Sequence, residues 1–247
     1  MCKYLSILGA NVGNFLYVYT RKCFFKMNKI YLISGIGCNG EVFNRISPPD
    51  GYTMQVVEWI EPNANESKKD YLYRMFDTIE VDDTDVLLGV SLGGIAVQYL
   101  YEIFPSVRKI VLISTARSSD EMSTLLKLMK KIKIPRWIPS FILTSSYTYS
   151  YVVMGSIKKR HREMIGKFMG GFSSAYFRMA ASMALDMEEA CIPADKVLRI
   201  HGRRDALFPL SYIKTPSYII EGATHLAVYT HSREINDILK RELLPIL

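Results

Sequence analysis

Gly89-Val90-Ser91-Leu92-Gly93 is the stretch that decides how this chain is read. It follows Asp85-Val86-Leu87-Leu88, a short apolar run that predicts a buried strand. It precedes Gly94-Ile95-Ala96-Val97-Gln98-Tyr99-Leu100-Tyr101, which predicts a helix. A serine with glycine two residues before and two after, on a strand-to-helix turn, has the pattern of a nucleophile elbow. Such a turn is tight enough to hold the serine in a strained backbone conformation. A side chain at either glycine clashes with the neighbouring strand or helix. The hydroxyl is then expected to stand exposed at the sheet edge, above a helix N-terminus whose backbone N–H groups can meet an anion. The competing reading, a Gly-Ser-Gly turn without chemistry, stands until other residues are found to join the serine.

Two downstream segments supply candidates. Val197-Leu198-Arg199-Ile200-His201-Gly202-Arg203-Arg204-Asp205 reads as a strand running into a glycine turn that delivers an aspartate, with Leu207-Phe208-Pro209 just after. Ser217-Tyr218-Ile219-Ile220-Glu221-Gly222-Ala223-Thr224-His225 reads as a second strand whose loop delivers a histidine before the last helix. Of the other histidines, His161 lies in the basic run Lys158–Arg162 and reads as a solvated helix face. His201 at a strand end reads as packed, and His231 falls within the last helix. Asp205 is preferred to Asp195, which begins its strand at the wrong sheet edge, and to Asp186, which lies in a helix. Arg203 and Arg204 read as exposed loop charges.

With its partners in the order Ser91, Asp205, His225, the sequence resembles the α/β-hydrolase superfamily. The resemblance rests on Gly-Val-Ser-Leu-Gly, His-Gly-Arg-Arg-Asp and Gly-Ala-Thr-His, each at the end of a predicted strand, and covers roughly residues 27–115 and 192–247. It implies an α/β fold with a mostly parallel central sheet flanked by helices and a helical cap inserted. It implies Ser91, Asp205 and His225 as catalytic residues. No cofactor and no metal are expected. A serine at the elbow argues against epoxide hydrolase and haloalkane dehalogenase chemistry, whose members in the superfamily carry aspartate there. The fold hosts many chemistries and leaves the substrate open.

Ile30-Tyr31-Leu32-Ile33 predicts a strand, and Ser34-Gly35-Ile36-Gly37-Cys38-Asn39-Gly40 follows it. Glycines at this density let the backbone pass close to a bound acyl group, so Gly35 and Gly37 are expected beside substrate. In the superfamily this loop and the residue after the nucleophile supply the oxyanion hole. The donors implied are the N–H groups of Ile36 and Leu92, with Gly37 as the runner-up. Each such donor is worth about 3–4 kcal/mol in the transition state. The chain departs from many members in having Ser34-Gly35 where they have His-Gly, which leaves the donor assignment open. Gly35-x-Gly37-x-x-Gly40 also matches dinucleotide-binding spacing, but no acidic ribose partner stands out beyond Glu58 or Glu61.

The chain has 247 residues, 49% of them hydrophobic, enough for one domain with a sizeable core. Strands alternate with helices from Lys29 onward. Cys2, Cys23, Cys38 and Cys191 match no metal spacing and read as free thiols in a reducing compartment, so a cytoplasmic location is expected. Cys38 is a candidate for lining the site. Residues 4–20 are largely apolar, but Asn11 and Asn14 interrupt them. The run falls short of the roughly 20 residues of a membrane span, and a secretory signal, the less favoured reading, would want a firmer basic start and a small-residue cleavage site. Residues 1–26 are expected either as opening strands, with Leu5–Leu8 and Phe15–Thr20 as a hairpin, or as an extension before Met27.

Core segments 27–115 and 192–247 are separated by residues 116–191, expected as a helical cap. A lone crossover needs only about a dozen residues. Residues 116–190 hold eight of the chain's twelve methionines, and their 12 Lys/Arg against 6 Asp/Glu give +6 of its net +7. Met122, Leu125, Leu126, Met129 and Ile132 recur at helical spacing, as do Ala175, Met179 and Met183. Their apolar faces are expected to roof the serine, with Met129, Met179 and Met183 against an acyl group, because methionine repacks around varied shapes. The basic outer face suits an anionic substrate or weak contact with an anionic membrane surface. Nucleic acid is not expected, since no binding motif is present. The function expected is acyl transfer to water from a small-molecule carboxylic ester with an apolar acyl part, with a thioester as an alternative substrate. C–C bond hydrolysis and transfer to another acceptor are alternatives, and a non-catalytic binder is the reading from another class.

Overall fold

The computed structural model describes residues 27–131, 158–187 and 189–244. The strands are β1 (Asn28–Ile33), β2 (Tyr52–Val56), β3 (Val86–Val90), β4 (Lys109–Ile113), β5 (Val197–Gly202) and β6 (Tyr218–Ile220). They form one sheet in the order β2-β1-β3-β4-β5-β6, and every pairing is parallel. The helices are α1 (Lys68–Met75), α2 (Leu92–Ile103), α3 (Thr124–Lys131), α4 (Lys159–Phe168), α5 (Ser174–Leu185), α6 (Ala227–Thr230) and α7 (Ser232–Glu242). The expected α/β class with a parallel sheet is what the chain adopts. The reading of residues 1–26, hairpin included, lies outside the described residues, as does Ile132.

Alternation along the strands explains the two layers. Tyr31, Ile33, Leu87, Ile110 and Leu112 point into one apolar cluster with Ile95, Ala96 and Leu100 of α2 and Tyr176, Phe177 and Ala180 of α5. Ile30, Leu32, Val86, Leu88, Val111 and Ile113 point into the other, with Ile165 and Phe168 of α4 and Ile235, Ile238 and Leu239 of α7. Successive side chains of a strand face opposite sides, so a sheet covered on both faces needs strands that are apolar throughout. The wholly buried Val86-Leu87-Leu88-Gly89-Val90 meets that demand. The strand β2, outermost on one side among the described strands, does not, and most of it is solvent-accessible.

One feature of β5 runs against its apolar surroundings. Arg199 is buried in mid-strand and forms a two-pronged ion pair with Glu121, Nη1 to Oε1 at 3.0 Å and Nη2 to Oε2 at 2.6 Å. The backbone N–H groups of Arg117 and Lys214 complete the shell of the carboxylate, each at 2.8 Å. Burial alone would raise the Glu121 pKa, but Arg199 and the two N–H groups override it and hold the carboxyl below its ordinary value of 4.5. The pair ties the chain leaving β4 to β5 and to the loop before β6. Among the described residues, no helix is long and apolar enough to cross a membrane.

Candidate active site

In a parallel sheet every strand ends at the same edge, so the loops after β1, β3, β5 and β6 gather there. The order β2-β1-β3 places a crossover switch between β1 and β3, the crevice where open α/β sheets bind ligands. The loop after β1 and the turn after β3 meet at this point.

Ser91 stands between β3 and α2 with φ 55° and ψ −118°, a conformation that costs a non-glycine residue about 1–3 kcal/mol. The glycines around it are there for space. A Cβ on Gly89 would lie 2.2 Å from the Gly93 carbonyl oxygen, and one on Gly93 would lie 2.1 Å from that of Ile33. Two hydrogen bonds fix the serine backbone: its N–H donates to the Ile113 carbonyl at 3.0 Å, and its carbonyl accepts the Thr115 hydroxyl at 2.7 Å. Although Ser91 occupies the N-cap of α2, its side chain makes no capping bond.

That side chain meets His225 instead. Ser91 Oγ lies 2.9 Å from His225 Nε2, and His225 Nδ1 lies 2.8 Å from Asp205 Oδ2. A carboxylate can only accept, so Nδ1 carries the proton, and in the neutral ring Nε2 then accepts from the serine hydroxyl. The other carboxylate oxygen of Asp205 accepts the N–H groups of Leu207 at 2.9 Å and Phe208 at 3.0 Å. The Phe208 ring lies 5.6 Å from that of His225. Three residues from three separate strand ends are thus joined in one chain. The hydroxyl expected to be exposed belongs to a buried residue, with 8% of Ser91 accessible, and it is engaged by His225.

The remaining histidines and acids fall as follows. His201 is packed, as its position suggested, with Nε2 donating to the Phe208 carbonyl at 2.7 Å and lying 3.6 Å from Asp205 Oδ2. Burial holds its pKa below 6.5, against the pull of Asp205. His161 is half-buried rather than a fully solvated face. His231 lies at the junction of α6 and α7, where its Nδ1 is 2.9 Å from the Thr230 hydroxyl. Asp186 caps the C-terminus of α5, and Asp195 sits in a short 3-10 turn before β5. Arg203 pairs with Glu221 at the surface.

The loop after β1 is pinned from within and from outside. Ser34 donates its hydroxyl to the Cys38 carbonyl at 2.6 Å, and the Cys38 N–H donates to Gly35 at 3.1 Å. Gly35 and Gly37 are buried and Ile36 is half-buried. The Gly37 N–H, the runner-up oxyanion donor, is engaged by the Tyr176 phenol oxygen at 3.1 Å. Leu92 opens α2, so its N–H has no acceptor within the helix. Cys38 is buried in the core cluster beneath the loop. The acidic candidates for a ribose are used structurally: Glu58 accepts from the Gly40 N–H at 3.0 Å, and Glu61 from the N–H of Ser173 at 3.1 Å.

Two of the three methionines expected against an acyl group, Met179 and Met183, are placed otherwise. Met183 is fully buried in the cluster that holds Leu92, Ile95 and Ala96, so it packs the interface of α5 with α2. Met179 lines a surface groove of about 840 Å³ with Tyr99, Ala175 and Arg178, and none of Ser91, Asp205 or His225 borders it. The reason is that α5 lies along α2. The Met129 side chain lies outside the described part of the structure. Sequence reasoning missed Tyr176 and the Glu121–Arg199 pair.

No family model and no curated protein matches this sequence. Solved structures do match in shape. A bromoperoxidase from Bacillus anthracis superposes with a TM-score of 0.66 at 18% identity, over 89% of this chain and 93% of that one. A thermophilic esterase from Thermogutta terrifontis gives 0.59 at 16% identity, over 87% and 89%. An N-acyl homoserine lactonase complexed with N-butanoyl homoserine gives 0.61 at 15% identity, over 90% and 92%.

Proposed function

This chain has the α/β-hydrolase fold, and we propose that on it the protein works as a serine hydrolase, cleaving a carboxylic ester with an apolar acyl part through an acyl-enzyme on Ser91. The observation that carries the proposal is the continuous Ser91–His225–Asp205 hydrogen-bonded chain, at 2.9 Å and 2.8 Å, buried at the C-terminal edge of the sheet. His225 takes the serine proton as Oγ attacks the carbonyl carbon, and Asp205 holds the imidazole in the tautomer this requires and stabilises its charged form. The Leu207 and Phe208 N–H groups in turn hold Asp205. The N–H groups of Ile36 and Leu92 are assigned to the oxyanion, at the helix N-terminus that favours negative charge. His225 then returns its proton to the leaving alkoxide and activates the water that frees Ser91.

An ester is preferred because a nucleophile, a base and amide donors, the roles assigned to Ser91, His225 and the two N–H groups, suffice for its cleavage. A lactone is an ester too, and the lactonase among the structural neighbours shares this fold. The helices between β4 and β5 are assigned to a cap over residues 27–115 and 192–247. The test is turnover of p-nitrophenyl esters of graded acyl length by wild type and Ser91→Ala. Hydrolysis by wild type only supports the reading. Equal turnover by a folded Ser91→Ala protein contradicts it.

A further inference from the structure

We infer that Tyr176, on the helix α5 between β4 and β5, is the positioning residue of the oxyanion-forming loop, its phenol oxygen fixing the Gly37 amide so that the adjoining Ile36 N–H is held toward the acyl group. The inference rests on the reading of Ser91 as nucleophile and extends it to a residue 139 positions away from the loop it serves.

The bonds within the loop, Ser34 to Cys38 and Cys38 to Gly35, leave both backbone groups of Gly37 to partners outside it. Gly37 has φ +68°, and glycine takes positive and negative φ about equally, so local preference does not set the orientation of the peptides around it. Both of its backbone groups are instead bonded to the segment between β4 and β5. Its N–H donates to Tyr176 Oη at 3.1 Å, and its carbonyl accepts the Gly170 N–H at 3.0 Å. The neighbouring Asn39 N–H reaches the Phe168 carbonyl at 2.7 Å, and Cys38 bridges Met169 as in an antiparallel pair. Among these bonds, the one to Tyr176 comes from a side chain and is removed by a single atom.

Tyr176 is built to stay where it is. Its ring is stacked on Phe172 at 4.2 Å and meets the edges of Trp59 at 5.9 Å and Phe177 at 5.3 Å. The residue is 1% exposed. Burial also pushes the phenol well above its ordinary 10.0, so it stays neutral at any working pH and its oxygen remains a fixed acceptor. Its helix is anchored at the start by Ser173, whose hydroxyl caps Ala175 and Tyr176 and bonds Glu61. Through Tyr176 the segment between β4 and β5 sets the shape of the loop on which the oxyanion depends.

Tyr176→Phe keeps the ring and deletes the acceptor. The expected result is a kcat about ten- to a hundredfold lower, the scale of a small misplacement of a catalytic group. KM should stay within about twofold, because the loss falls on the transition state. The rate of labelling by a fluorophosphonate, whose P=O oxygen uses the same amides, should fall in parallel, with its pH midpoint unmoved. A shifted midpoint marks damage to Ser91, His225 and Asp205 and overturns the inference. If wild type labels and Tyr176→Phe labels equally fast, the inference alone fails. If wild type does not label, the reading of Ser91 fails beneath it. A further check needs no variant: the Gly37 amide of the unmodified protein should exchange slowly with deuterium, and exchange at the rate of an exposed amide overturns the inference.

Discussion

Arg199 and Glu121 meet as a two-pronged ion pair in the interior, their side chains 4% and 2% exposed. Every formal charge in that pair has a partner, and the carboxylate has two backbone donors besides. Glu121 lies on the chain leaving β4, six residues after Thr115, whose hydroxyl holds the Ser91 carbonyl and whose own carbonyl lies 3.5 Å from Arg199 Nη2. The pair thus buttresses the turn that carries Ser91.

Breaking the pair from one side leaves a buried charge unpaired. Glu121→Ala is expected to destabilise the fold by about 3–5 kcal/mol, read by urea unfolding. Replacing both residues at once with leucine and methionine should recover most of that loss. A single-variant loss below about 1 kcal/mol, the level of a surface pair, would contradict this account.

Stability should also depend on pH through His201. Its folded pKa is depressed below the ordinary 6.5 by burial, with His225 and Arg199 adding to that and Asp205 opposing it. The unfolded chain therefore binds the proton more readily. The contribution is fully present above pH 6.5 and is lost as pH falls from there toward the lower folded value. His201→Asn should flatten the decline in unfolding free energy between about pH 7 and pH 5. An unchanged slope would show that His201 is not the group responsible.

The elbow glycines can be tested against a glycine with room around it. Gly93→Ala puts a Cβ 2.1 Å from a backbone oxygen, whereas a Cβ on Gly166 in α4 meets nothing within 4 Å among the described residues. Gly93→Ala should cost at least about 1–3 kcal/mol. Gly166→Ala should stabilise by about 0.5–1 kcal/mol, since it removes glycine from a helix interior. Calorimetric melting of both variants decides it, and a melting temperature unchanged in Gly93→Ala counts against the close approach.

Asp205→Asn should keep the fold and lower kcat by about 10⁴, because the amide no longer enforces the tautomer in which Nε2 accepts from Ser91. Steady-state ester hydrolysis measures it. A loss below about tenfold would point to another acid.

The sequence made the elbow legible because its constraints are local. Gly89, Ser91 and Gly93 must be what they are for the strand to turn into the helix. Asp205 and His225 were legible because each sits in a loop directly after a strand, and parallel strands send those loops to one edge. What the sequence did not disclose is where helices lie. The spacing of Met179 and Met183 fixes them on one face of α5 but not which neighbour that face meets, and it meets α2. Tyr176 and Gly37 are 139 residues apart, and Glu121 and Arg199 are 78 apart. No local pattern encodes such pairs, and a buried arginine within an apolar strand was the one visible sign of the second.

The most direct test is labelling of the purified protein with a fluorophosphonate probe, wild type beside Ser91→Ala, with the modified peptide identified by mass spectrometry. The account predicts a covalent adduct on Ser91 in wild type and none in the variant. A folded wild type that takes no label, or a label carried on another residue in both proteins, would contradict it.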